Sequence, residues 1–540
     1  MPRSRLTLWL FCGWLVLLPL PFGAARTWAL ALVLPPLFLL AAWVSATRRD
    51  PADGLLAFLL RPPGLMLAAF MAVVAAQLLA LGGAPDSVVP YRTQLYLLLA
   101  FACTVTVWLA LALVRTTDDL RTLMLALVAG ALLQACIASL MIATGAGLSF
   151  MDSEIRPGRV ATGTFVNRNH LAGYLNIGLA AGIGLLAGHL ARPRESRSWA
   201  IRVRDALLLL LGGKARLRLV LILLVIVLIA TRSRMGNAAF FAALVVATCV
   251  YAVFERERRR GLLIFAASVV VIDLVLIGTW VGVDRVVDRI QNTPLMARMA
   301  GDDPAAAPAA AAGQAEAGLA GLTGLGAVPG GAAPAEGAAT APAEPPGPPP
   351  RRDPRTEQSV QDRIEPALDA VRIVREHPWI GTGGGSFYLV YMAYQPNYEG
   401  FYNHAHNDYL EIAADTGLLG LGALLALALA SLVQALSVLR HRRHPVLRSA
   451  AFATVMSVTA MALHALVDFN LHIPANLLSF CVIIALPFTA RRLHSRRGAH
   501  EAAAREDGTS AARAAAGMAA GRLGAARAAG PLPPLPEPTR

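Results

Sequence analysis

Charge is what this 540-residue chain has least of. Only 15% of its residues are Asp, Glu, Lys or Arg, while 56% are hydrophobic and the mean hydropathy is +0.55. Soluble domains carry roughly a quarter charged residues, so water is excluded as the only solvent of the fold. Cysteine is scarce too. The five residues Cys12, Cys103, Cys136, Cys249 and Cys481 each fall inside an apolar run. That placement argues against redox or metal chemistry and predicts five buried small hydrophobes. No internal repeat is visible.

What the chain has in quantity is long apolar runs. A helix needs about 20 such residues to cross roughly 30 Å of hydrocarbon. Runs of this kind lie near 6–20, 27–47, 64–82, 93–114, 121–143, 170–190, 217–231, 236–254, 261–282, 409–439, 448–468 and 474–490. The first resembles a signal peptide, but a second run follows at once with no processing site, so it is taken as a span. The expected fold is an all-α membrane protein of about 12 transmembrane helices, with one large periplasmic loop between helices 9 and 10. The net charge of +14 reads as topology rather than nucleic-acid binding. With the N-terminus inside, 27 of the 48 Lys and Arg fall in cytoplasmic loops, 7 in short outer loops, 9 in the long outer segment and 5 in the tail beyond 497. This asymmetry puts both termini in the cytoplasm.

The chain divides accordingly into 1–282 with helices 1–9, an outer loop over 283–408, helices 10–12 over 409–490, and a tail over 491–540. Residues 301–355 are almost all Ala, Gly and Pro. Such a stretch buries too little apolar surface to offset its ordering entropy, and the tail is similar, so both are expected to be disordered. From Thr356 to Glu376 the character changes. Ile364, Leu368, Val371 and Val374 at helical spacing predict an amphipathic helix. Pro378 stops it, and Gly381-Thr382-Gly383-Gly384-Gly385 reads as a tight turn.

Polar chemistry gathers on the outer side. His404, His406, Asn407, Asp408 and Glu411 crowd the mouth of the tenth span, where the positive end of a helix dipole favours a neutral, proton-accepting imidazole. The structural alternative is an interfacial polar cap, and ligand type also admits a metal held by His404, His406 and Glu411. Arg232 and Arg234 lie in a short outer loop against the positive-inside trend. They suit an anion such as a diphosphate, which guanidinium matches with paired donors, or they snorkel from a helix end. Arg363, on the amphipathic helix, is a third cation. Asn167 and Asn169 precede the sixth span and either cap it or line a pocket. His464 and Asp468, four apart, share a helix face and are read as a structural pair. Asp273, in the ninth span, must face protein or water.

In order and spacing, several of these pieces resemble the O-antigen ligase and polymerase superfamily of bacterial envelope polysaccharide enzymes. The matching elements are Gly163-Thr164-Phe165 with Asn167 and Asn169, Ser233-Arg234, Asp362-Arg363-Ile364 running to His377-Pro378-Trp379-Ile380-Gly381, His404-Ala405-His406-Asn407 through Thr416-Gly417-Leu418, and Asp468-Phe469-Asn470. They cover about 160–490. The stretch 301–355 and the cations Arg168 and Arg232 depart from the pattern.

The resemblance implies a metal-independent, inverting glycosyltransferase without a cofactor, acting at the periplasmic face of the inner membrane. Its donor would be an undecaprenyl-diphosphate-linked glycan and its acceptor a glycan or lipid A-core, with no nucleic-acid partner. His406 would be the general base and Arg234 and Arg363 would hold the diphosphate, joined by Arg232 as an extra cation outside the family pattern, while His404, Asn407, Asn167, Asn169 and Asp468 would line or support the pocket. A polymerase or a protein O-oligosaccharyltransferase would share the site and differ in acceptor. A transporter of lipid-linked sugars would instead place its polar groups near the midplane on broken helices. A metal-dependent glycosyltransferase usually keeps carboxylates in its first outer loop, and Pro19 to Thr27 has none.

Overall fold

A computed structural model describes residues 3–47, 53–79, 87–151, 153–155, 158, 160–188, 213–255, 361–394 and 403–493. These all belong to one unit, residues 1–268 and 360–540. The expected ninth span with Asp273, the Ala/Gly/Pro-rich stretch 301–355 and the tail beyond 493 lie outside the described residues.

The described chain is helical: α1 (Arg3–Leu17), α2 (Thr27–Thr47), α3 (Leu55–Leu59), α4 (Pro62–Ala76), α5 (Pro90–Leu113), α6 (Thr117–Thr144), α7 (Arg168–Gly188), α8 (Gly213–Ala230), α9 (Arg234–Phe254), α10 (Gln361–Glu376), α11 (Phe387–Tyr394), α12 (Asp408–His441), α13 (Pro445–His464) and α14 (Pro474–Leu493). Eight of them, α2, α5, α6, α7, α9, α12, α13 and α14, are long and apolar enough to cross a membrane. The chain is a multi-pass membrane protein. One expected span is shorter than its run suggested: α4 has only 15 residues, while α1, also of 15 residues, matches the length of its run but starts earlier. One departure from all-α is a small antiparallel hairpin, Leu148–Phe150 against Ser153–Ile155.

Helix α7 is the centre of the bundle, buried along its whole length. Its glycines let neighbours approach closely, as small residues do between membrane helices. A Cβ at Gly188 would come within 2.1 Å of Ser449 Oγ on α13, and one at Gly173 within 2.3 Å of Asn470 Oδ1. At one end of the bundle Asp53 pairs with Arg115 and Arg492 at 2.7 and 3.0 Å. The other end, where α2, α5, α7, α9, α12 and α14 begin, carries the polar motifs.

Three expectations change in detail. The amphipathic helix forms and ends before Pro378, but the face it buries is Pro366, Ala370 and Ile373, while Leu368 is 62% exposed. Ala370 and Ile373 pack with Phe387, Tyr391, Ala405 and Ala414, because the small Ala370 allows the closer approach. Cys136 and Cys249 are exposed on the outer faces of α6 and α9, where a small apolar residue meets lipid at no cost; the other three cysteines are buried. Finally, α12 is broken at Gly417, with φ 66° and ψ −178°.

That break explains the glycine turn. The chain at 378–387 threads into the gap, with Leu418 N–H donating to Pro378 O (2.7 Å), Thr382 N–H to Ala414 O (2.9 Å) and Gly383 N–H to Asp415 O (3.0 Å). Asp415 accepts from Gly385 and Phe387 N–H at 2.9 Å each. A side chain at Gly417 would sit 2.1 Å from Trp379 O, so only glycine fits. Gln77 closes the junction, donating to Asp415 O (2.7 Å) and Ile380 O while accepting from Gly384 N–H (3.0 Å).

Candidate functional site

The site is built on the first turns of α12. Asn407 caps this helix, its Oδ1 accepting from Leu410 N–H at 3.1 Å. Asp408 and Glu411 then occupy the first turn, where the positive end of the dipole suits carboxylates. Both are buried, and both are satisfied from outside the helix. Glu411 Oε1 accepts from His404 Nδ1 at 2.7 Å and Oε2 from Ala405 N–H at 2.9 Å. Asp408 Oδ1 accepts from His472 Nδ1 at 2.7 Å and Oδ2 from Leu471 N–H at 3.0 Å. The Nε2 of His472 lies 3.4 Å from Glu411 Oε1. A continuous chain, Asp408–His472–Glu411–His404, therefore joins the helix to two loops. Burial works against a charge on His472, but the carboxylates of Glu411 and Asp408 outweigh it and raise its pKa to about 10.

Phe469 organises the histidines. His404 stacks on its face at 3.9 Å between centroids, while His170 and His406 meet it edge-on at 4.7 and 5.2 Å. His406 is buried and holds a left-handed backbone, φ 50°. A non-glycine residue there is strained, and such strain concentrates at functional sites. On the far side, Asp468 lies between His170 Nε2 (3.7 Å) and His464 Nε2 (3.9 Å) and accepts from Phe469 N–H at 2.9 Å. Burial pushes its carboxyl up, but the His170 contact, the charge of both imidazoles and the Phe469 amide hold it well below the usual range.

Beside this cluster lies a cavity of about 750 Å³. It follows α12 from Asp408 to Leu432, roughly 36 Å at 1.5 Å per residue. Beyond Ile412 every α12 residue on its wall is apolar, as are those from α13 and α14. Asn403, His404, Asp408, Glu411 and His472 gather at one end, together with Arg26 and Arg92 from the starts of α2 and α5. Arg92 lies over the ring of Tyr388, 4.9 Å from its centroid.

The sequence-expected residues are thus distributed unevenly. His404 lines the cavity, and Asn407 supports it from the cap, with Nδ2 donating to Leu466 O at 3.1 Å. His406 packs on Phe469 and does not line the cavity. Asn167 accepts from Asn169 N–H at 2.8 Å and so caps α7, which begins beside the cluster. Arg232 and Arg234 are exposed where α9 begins, next to α7, and among the described residues they do not line the cavity. The side chain of Arg363 lies outside the described residues. His404 and Glu411, considered above as metal ligands, are bonded to each other; among the described residues no group of three His, Cys, Asp or Glu is placed to hold a metal ion.

Several participants went unread in the sequence. His472 was not singled out, since its partners are 61 and 64 residues away in sequence. Arg26 and Arg92 carried a usable signal: each is a cation in a short outer loop, as Arg232 and Arg234 are.

No curated protein matches the chain. Residues 219–425 match the family model described as O-antigen ligase, a stretch running from α8 through the opening of α12 and including Arg232, Arg234, Arg363, His404, His406 and Asn407. This match supports the O-antigen ligase-like superfamily and a membrane function in glycan assembly.

Proposed function

We propose that the protein is a membrane glycosyltransferase of the ligase type, moving a glycan from undecaprenyl diphosphate to an acceptor hydroxyl at the periplasmic face of the inner membrane. The observation that carries this reading is the cavity, an apolar trough of lipid length that ends in cations and a histidine–carboxylate cluster. The polyprenyl chain lies along the apolar wall. Its diphosphate is held by Arg234 and Arg363 with Arg232, together with Arg26 and Arg92 from the cavity wall. Guanidinium suits this task because its paired donors match phosphate oxygens.

In the reaction the acceptor oxygen forms a bond to the anomeric carbon as the bond from that carbon to the diphosphate oxygen breaks. The electron pair leaves with the diphosphate, whose growing charge fixed cations stabilise. The acceptor proton passes to His406, the general base, and configuration inverts in one displacement. His404, Asn407, Asn167, Asn169 and Asp468 shape and support the pocket.

A polymerase and a protein O-oligosaccharyltransferase would use the same groups and differ in acceptor. The grouping of polar side chains at one end of the bundle favours an enzyme over a transporter, whose site sits near the midplane. Mass spectrometry of envelope glycans from a deletion strain is the test. Surface polysaccharide that is polymerised but left on undecaprenyl diphosphate supports a ligase. Shortened chains mean a polymerase, unglycosylated secreted proteins mean protein glycosylation, and an unchanged envelope contradicts the proposal.

A further inference from the structure

The residue that ties this end of the bundle together is Glu411, and none of the motif-based roles includes it. It lies one turn into α12, 2% exposed, with both oxygens engaged. One holds the ring of His404 and the other holds the backbone N–H of Ala405, the residue before His406. On the other side of His406 the chain is fixed again, by Asn407 through its cap and its bond to Leu466 O, and by Asp408 N–H donating to Ala465 O at 2.9 Å. A left-handed residue pinned on both flanks cannot relax, so the conformation of His406 follows from these two anchors.

We propose that Glu411 is a positioning residue for the transfer reaction: its carboxylate, paired with His472 at 3.4 Å, holds His404 and Ala405 so that His406 keeps its strained conformation and its ring stays against Phe469. This rests on the reading of His406 as the base. The first turn of α12 would fold without a buried charge at Glu411, and an apolar side chain there would cost less than a desolvated ion pair. What the carboxylate adds is geometry. Two acceptor oxygens in one plane fix a side chain and a backbone amide together, and the imidazolium of His472, itself anchored by Asp408, stops the carboxylate from rotating out toward the cavity. Displacing a reacting group by about 1 Å can cost on the order of 10²-fold in rate.

The test is Glu411→Gln beside Glu411→Asp and His406→Ala. The full-length protein is reconstituted with membranes of a deletion strain, which supply the acceptor, and with undecaprenyl-diphosphate-linked glycan extracted from parent cells. Glutamine keeps the shape and an acceptor for Ala405 but presents an NH₂ group to His404 and His472. We expect turnover to fall about 100-fold while the donor concentration for half-maximal rate stays within about threefold, the signature of an interaction made in the transition state. Glu411→Asp, which keeps the charge, recovers part of that loss; should the Gln variant fail to fold, Asp alone is expected to lose about tenfold with donor half-saturation unchanged. Parent-like turnover in the folded Gln variant, or in Asp where Gln does not fold, overturns the proposal. So does a loss that appears in donor half-saturation. Parent-like turnover in His406→Ala overturns the base assignment itself, whereas loss there with an active Glu411→Gln overturns only the positioning role.

Discussion

Replacing His472 by Gln tests the charge network most severely. In the parent an imidazolium sits between two buried carboxylates, 2.7 Å from Asp408 and 3.4 Å from Glu411. Removing one partner from a buried ion pair typically costs about 3–5 kcal/mol, because the other partner is left uncompensated. At roughly 2–4 °C per kcal/mol for a chain of this class, the thermal midpoint in detergent should drop by about 6–20 °C. The pH dependence follows with a definite sign. A histidine raised from 6.5 to about 10 contributes stability that is fully present below 6.5 and is lost as pH rises toward 10. Parent stability should therefore decline across that window, and the variant should lack this part of the slope. Adding Asp408→Asn to the variant should recover some stability by removing one orphaned charge. Unfolding that costs the variant less than about 1 kcal/mol, or an unchanged slope, refutes the imidazolium assignment.

Gly417→Ala should cost at least about 2–3 kcal/mol, since φ 66° with ψ −178° is open only to glycine and the new Cβ would press on Trp379 O; midpoint shifts in detergent read this out. Deletion of residues 305–348 should leave the protein inserted and at least partly active, because this Ala/Gly/Pro-rich sequence offers little apolar surface for a core and closure entropy changes only slowly with chain length; loss of the protein from membrane fractions would contradict this. Arg234→Ala and Arg363→Ala should each weaken capture of undecaprenyl diphosphate, with Lys only a partial rescue for want of paired donors. Unchanged binding in the Arg234 variant would make snorkelling the better account.

How far the sequence could be read depends on the range of the interactions. Spans are local, so hydropathy located the eight long apolar helices, and overestimated α4, whose apolar run continues past the helix. The histidine loop and its place before α12 were legible for the same reason: Asn407 as a cap and Asp408 with Glu411 in the first turn are a local pattern. The burial of Glu411 against His404 is less so, because the chain crosses from loop to helix over the seven positions that separate them. The bond between His472 and Asp408 spans 64 residues and leaves no periodicity. The break at Gly417 was hidden too, since the expected span runs straight through it and its cause is the 378–387 segment. The amphipathic helix shows the intermediate case. Spacing gave its period, but the neighbour that accepts Ala370 and Ile373 decided which face is buried.

The most direct test of the central claim is transfer activity of His406→Ala, measured with the amount inserted in the membrane and with binding of undecaprenyl diphosphate. A general base contributes about 10² to 10⁴ in rate, so transfer should fall at least a hundredfold while insertion and binding stay near normal. His404→Ala, whose neighbour Ala405 remains tied to Glu411, should lose less. A loss below tenfold in His406→Ala contradicts the account and returns weight to transport of lipid-linked sugars.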